Sequence, residues 1–202
     1  MKIARLFLRL TIGALFVGHG TQKLFGWFGG NGLDSTAKAF DSMGMRPGRR
    51  NAIAAGAAEA GGGAALALGL ATPAAASVLT ATMLTAINRV HLKRGPWVAN
   101  GGFEYNLVLI AAVLALTEVG PGKLSLDAAL GQERSGPKWA LAALATGVVG
   151  AVGAHVAAES HTAREASAAP AAAATNGSGA DAEHAAPTEE TPAGAPTEPQ
   201  HA

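Results

Sequence analysis

The chain has 202 residues and a formal net charge of +1, with 49% apolar and 14% charged residues. Average soluble domains carry about 25% charge, so the deficit points to lipid, and the near-neutral balance excludes a strongly basic nucleic-acid binder. The chain holds no cysteine, which excludes a disulfide, a thiolate nucleophile, an iron–sulfur ligand set or a zinc knuckle made by this chain alone; redox chemistry would need a bound cofactor, a quinone or a partner.

Five apolar runs follow in chain order. The first spans about 3–21 and is interrupted only by Arg5 and Arg9. Its basic start is compatible with a signal peptide, but Arg9 breaks the apolar region and no small-residue cleavage site precedes Lys23, so a retained helix is expected. A long connection, 24–50, begins with the aromatic, glycine-rich "LFGWFGG", which suits a membrane interface. Within it "LDSTAKAFDSMG" predicts a short helix with Leu33, Ala37, Phe40 and Met43 on one side, Asp34 or Ser35 as cap and Gly44 as stop. That helix is either a surface element or a lid.

The second run, 52–71, is "AIAAGAAEAGGGAALALGLA" and carries one charge, Glu59. Gly56 and Gly63 predict close backbone approach rather than a phosphate loop, since no strand precedes them. The third, 74–90, follows the tight Thr72-Pro73 turn, the fourth covers 105–119, and the fifth, 139–158, is "WALAALATGVVGAVGAHVAA". A spanning helix needs about 17–25 residues. Runs one, two and five fit directly, and three and four fit with their polar ends among the headgroups. Runs two, four and five are apolar on nearly all sides, whereas a helix of a soluble bundle keeps one polar face. The expectation is a multi-pass protein of the cell membrane. Beyond 158 the Ala/Pro/Thr/Glu-rich tail has too few large apolar residues to offset chain entropy and is expected to be disordered. His161, His184 and His201 are too scattered there to suggest a metal site, and no metal is expected.

Consecutive spans alternate direction, so one membrane side gathers His19, Gln22 and Lys23 from the first helix. Asn88 and His91 join them from the third, and Glu104, Tyr105 and Asn106 from the fourth. His19 with Gln22 or Lys23, and Asn88 with His91, have the spacing that shares a helix face. Glu59 lies on the order of 10 Å below the same surface at 1.5 Å per residue. A carboxylate at that depth needs a partner or a proton, so Glu59 is expected to meet His19, Lys23 or His91. Such a cluster either is functional or holds helices together. On the other side Arg9 is expected to pair with Glu118. Lysine and arginine counts leave the orientation open: Lys2, Arg5, Arg9, Lys123, Arg134 and Lys138 oppose a larger basic group on the Lys23 side.

Three blocks carry a family resemblance: "RLTIGALFVGHGTQKLFGWFGG", "EAGGGAALALGLATPAAASVLTATMLTAINRVH" and "GGFEYNLVLIAAVLALTEVGPGKLSLDAAL". With them the chain resembles the DoxX family of small bacterial integral membrane proteins over roughly 5–130. The resemblance implies an all-α fold, a transmembrane four-helix bundle over 1–130. To this the chain adds an extra C-terminal transmembrane helix over 131–158 and a disordered tail over 159–202. It also implies a link to quinone-coupled oxidoreductases or to membrane redox-stress complexes.

Three functions are compatible with these features. A quinone-linked oxidoreductase subunit would use His19 and His91 to donate protons to the quinone oxygens, Glu59 or Glu104 as relay and Lys23 to stabilise negative charge. His19, Gln22, Asn88 and His91 would contact the cofactor. Haem ligation by His19 and His91 is disfavoured, because both sit near helix ends. A non-catalytic scaffold would use the cluster as a staple and the tail to recruit soluble partners. A small transporter lacks support, since neither inverted repeats nor broken helices stand out. Expected partners are membrane lipid, soluble or membrane redox proteins and a second copy of the chain; nucleic acid is not expected.

Overall fold

The computed structural model describes residues 2–176, which are helical with no strand among them. In chain order the helices are α1 Lys2–Phe25, α2 Gly32–Ser42, α3 Gly48–Leu68, α4 Thr72–Ala86, α5 Glu104–Val119, α6 Leu126–Ala129 and α7 Pro137–Asn176. A π turn, Ile87–His91, continues α4. The packed helices belong to the first of two units, Met1–Arg164; the described part of the second, Glu165–Ala202, is the end of α7.

The seam between α1 and α3 is built from glycine. A Cβ added at Gly13 would lie 2.6 Å from the Gly63 carbonyl oxygen, and one at Gly20 would lie 2.5 Å from that of Gly56. A Cβ at Gly63 would stand 2.7 Å from both the Gly13 oxygen and the Phe16 Cβ. The glycines recur at a seven-residue interval on both helices, so two complementary stripes meet and the backbones touch. Phe16 and Leu66 fill the space beside the seam, and Leu79, Val113 and Leu116 extend the core to α4 and α5. On α7, Ala143 is buried, Gly147 abuts Thr80, and Thr146 Oγ1 donates to Ser77 Oγ at 2.7 Å, so α7 packs against α4 through small residues.

The end near the N-terminus is tied by a polar knot. α3 stops at Gly69 (φ 63°), where Leu70 N–H returns to the Ala65 carbonyl, the six-to-one bond of a Schellman turn. Ala71 stands just before α4, and its methyl cannot cap the free N–H groups. The cap comes from far along the chain. The Asp127 carboxylate accepts from Ala71 N–H (2.7 Å), Thr72 N–H (3.0 Å) and Thr72 Oγ1 (2.8 Å). Arg9 binds the carbonyls of Ala67, Pro121 and Leu124 with its guanidinium, joining α1 to the α3 terminus and to the loop after α5. The Asp127 carboxylate lies within electrostatic range of Arg9. The sequence expectation of an Arg9–Glu118 pair is corrected here: Glu118 is exposed, and Arg5 donates instead to the Val119 carbonyl at 2.9 Å. Five fixed N–H donors can satisfy several carbonyls left free at helix ends, which one flexible glutamate cannot.

Among the described residues, two helices are long and apolar enough to cross a membrane, over Ile3–Phe25 and Pro137–Ala168. The outward faces are apolar on other helices too: Phe7 is 71% exposed, Val108 62% and Val149 70%. α7 runs to Asn176, so the segment after 158, expected to be disordered, is helical over its described length. Residues 166–174 are alanine at all but two positions, Ser167 and Pro170, and alanine is the strongest helix former, although Pro170 works against it. The remaining tail, with His184 and His201, lies outside the described residues. α2 forms where expected and stops at Gly44 (φ 74°), but Asn31 precedes it without a side-chain cap and Asp34 pairs with Arg49 at 2.7 Å.

Two comparisons test the packing. Gly61 has nothing within 4 Å of an added Cβ, so Gly61→Ala should stabilise by about 0.5–1 kcal/mol through reduced chain entropy. Gly63→Ala, identical in chemistry, should instead destabilise by about 1–3 kcal/mol, because backbone atoms block the methyl; thermal unfolding in detergent reads the opposite signs. Asp127→Ala should cost about 1–3 kcal/mol by leaving the start of α4 uncapped, read in the same way.

Candidate functional site

The other end opens into a cavity of about 570 Å³. The end of α1 supplies His19 and Lys23, and the first half of α3 supplies Ala54, Ala55, Ala58 and Glu59. Ala86, Arg89 and His91 come from α4 and its π turn, Tyr105, Asn106 and Leu109 from α5, and Gly150 and Ala154 from α7. Phe40, Met43 and Met45 close one wall from α2 and the turn after it. The space exists because α3, α4 and α7 present alanine and glycine here, where bulkier residues would fill it.

Glu59 is 5% exposed and receives Lys23 Nζ at 2.5 Å on Oε2. The glycine seam explains the meeting, since it brings the last turn of α1 alongside the fourth turn of α3. A lysine at the end of α1 also faces the negative end of that helix's dipole, and Nζ reaches the His19 carbonyl at 3.5 Å.

The hydrogen-bond partners fix both imidazoles. Gln22 Nε2 donates to the Phe28 carbonyl (3.2 Å), which turns Oε1 toward His19 Nδ1 at 3.1 Å. His19 Nδ1 therefore carries the proton. His91 Nδ1 donates to the Gly101 carbonyl at 2.7 Å. In both rings Nε2 is then the nitrogen left for a proton or a ligand. Buried Asn106 donates from Nδ2 to Met83 Sδ at 3.3 Å.

The remaining sequence-derived residues are placed elsewhere. Glu104 Oε1 accepts from Val98 N–H at 2.7 Å and braces the loop between α4 and α5, outside the cavity lining. Gln22 also lies outside the lining, holding His19 and the first loop. Asn88 and His91, expected on one helix face, diverge. The π turn, sealed by Leu92 N–H to the Ile87 carbonyl, widens the helix, sending Asn88 toward His155 (3.4 Å) and His91 toward Gly101. Sequence reasoning missed Arg89 and His155: Arg89 Nη2 lies 2.5 Å from His155 Nδ1, and His155 Nε2 lies 3.0 Å from Glu159. The available signal was a lone histidine near the end of an otherwise apolar run.

A family model described as DoxX matches residues 4–92. A curated relative from Bacillus subtilis (strain 168), named "Putative oxidoreductase CatD", is 35% identical over 126 residues, which cover 62% of this chain and 86% of that protein. No solved structure matches the chain.

Lys23→Met should strand the buried Glu59 carboxylate. Breaking a fully buried pair costs about 3–5 kcal/mol; the Lys23 side chain is 28% exposed, and water access reduces the expected loss to roughly 2–3 kcal/mol. The double variant Lys23→Met/Glu59→Gln should recover at least half of that loss in thermal unfolding. Equal losses in the two variants would show that the pair is not coupled.

Proposed function

We propose a redox role for this chain, which belongs to the DoxX family: a multi-pass membrane protein whose cavity receives a lipid-soluble quinone. In this reading α1, α3, α4 with its π turn, α5 and α7 are the spans. Apolar side chains on their outward faces support lipid contact. The relative's name, that of an oxidoreductase, favours redox chemistry. The observation that carries the proposal is the cavity itself. It has an apolar lining with a few polar groups at one end, and its volume of about 570 Å³ falls within the about 300–1,000 Å³ of small-molecule sites.

A quinone reduced to a quinol takes up two electrons and two protons. This chain has no cysteine, and the electrons come from a partner redox protein. What the chain contributes is protons and charge. Each imidazole, once protonated at Nε2, can hand that proton to an oxygen, and the Nδ1 bonds to Gln22 and Gly101 hold the two rings in place. Lys23 stabilises negative charge on a nearby oxygen, and Glu59 holds the ammonium in position. The alanine and methionine walls exclude water, which strengthens these interactions.

The Lys23–Glu59 pair equally suits a scaffold, in which it only fastens α1 to α3. Photolabelling with an azido-quinone in lipid nanodiscs separates the readings. Labelling should fall on α3 and α4, compete with unlabelled quinone, and drop at least fivefold in His91→Ala and in Ala58→Trp, which fills the cavity. Labelling unchanged by both substitutions, in folded protein, would refute the quinone site and favour the scaffold.

A further inference from the structure

We infer that Arg89 makes this cavity selective for an apolar ligand bearing one anionic oxygen. The inference rests on the cavity being a small-molecule site, as proposed above, and adds the chemical class of its ligand. It begins from the charges in the wall. The permanently charged side chains of the lining are Lys23, Glu59 and Arg89, beside the His19 and His91 rings held by their Nδ1 bonds. Lys23 and Glu59 neutralise each other at 2.5 Å. Arg89 remains, and among the described residues no carboxylate pairs with it directly.

Its nearest partner does not supply the missing charge. Arginine keeps its protons, so Arg89 Nη2 is the donor to His155 Nδ1, at 2.5 Å. His155 must then be neutral, with its proton on Nε2, the nitrogen that faces Glu159 Oε1 at 3.0 Å. Asn88 Nδ2 also approaches Nδ1, at 3.4 Å. The Glu159 carboxylate lies beyond the ring on a side chain that is 63% exposed, where water screens it. The arrangement orients the guanidinium without neutralising it. Moreover, Arg89 Nε is buried and has no hydrogen-bond partner. A cation with an orphaned donor in an apolar wall is costly. The carbonyl oxygen of a neutral ligand would offer the lining guanidinium a hydrogen bond alone. An ionised oxygen would offer the hydrogen bond and the opposite charge together, which gives the cavity its preference.

An ionised ring hydroxyl on a quinone and the carboxylate of a fatty acid share this chemistry, and the arms of one experiment distinguish them. Purified protein in detergent at pH 8 is titrated calorimetrically with 2-hydroxy-1,4-naphthoquinone, with 1,4-naphthoquinone and with dodecanoate. The hydroxylated quinone should bind at least tenfold more tightly than the neutral one. Arg89→Gln should bring the two within twofold by weakening only the anion, and Arg89→Lys should keep part of the preference. Dodecanoate binding that depends on Arg89, with neither quinone binding, would sustain the anion preference, identify a fatty acid as its source and refute the quinone reading. Equal affinities in the unaltered protein, a preference that survives Arg89→Gln, or no binding of any probe would overturn the inference. Should Arg89→Gln fail to fold, Arg89→Lys decides the matter: a reduced ratio supports the inference and an unchanged ratio overturns it.

Discussion

The contact on which the rest depends is the one between two bare backbones. Gly13 and Gly20 on α1 meet Gly63 and Gly56 on α3 so closely that no Cβ fits between them. In the proposed reading of these helices as membrane spans there is little hydrophobic gain from bringing them together, so close packing supplies the attraction. That packing also sets the register. With the two stripes aligned, Lys23 stands beside Glu59, and a carboxylate that would be prohibitively placed on its own becomes half of an ion pair.

The two ends of the helical unit use polar groups in opposite ways. At the Arg9 end the two buried charged groups are committed within the fold: the guanidinium to three backbone carbonyls, the Asp127 carboxylate to two N–H groups and a hydroxyl. The result is a clasp. At the cavity end the partners are fewer and small side chains leave room. Two imidazoles each keep one nitrogen uncommitted, and Arg89 keeps a buried N–H. Fully satisfied polar groups rigidify, whereas partly satisfied ones are where ligands bind.

The π turn links fold to site. It adds a residue's worth of rotation at the end of α4, so that Arg89 and His91 line the cavity while Asn88 turns to α7. Without it, helical spacing would keep Asn88 and His91 on one face. Glu104 makes the same point from the other side of the loop. Its place at the start of α5 suggests a site residue, yet the free N–H of Val98 lies nearer and takes the carboxylate. The short loop turns around residues 95–103 require an acceptor, and a tight local bond displaces a distant role.

The amino-acid sequence by itself determined the helical class, the apolar runs, the glycine stripe on α3 and the need of Glu59 for a partner, because each follows from composition and from spacing along one helix. The family, too, was legible in three blocks of residues. Only the tertiary structure decided that the partner is Lys23, that Arg9 binds carbonyls rather than Glu118, that Asp127 caps α4, and that Arg89 and His155 meet across α4 and α7. Those outcomes depend on which side chain reaches a free group first. Distances between helices settle that, and a linear pattern carries no record of them.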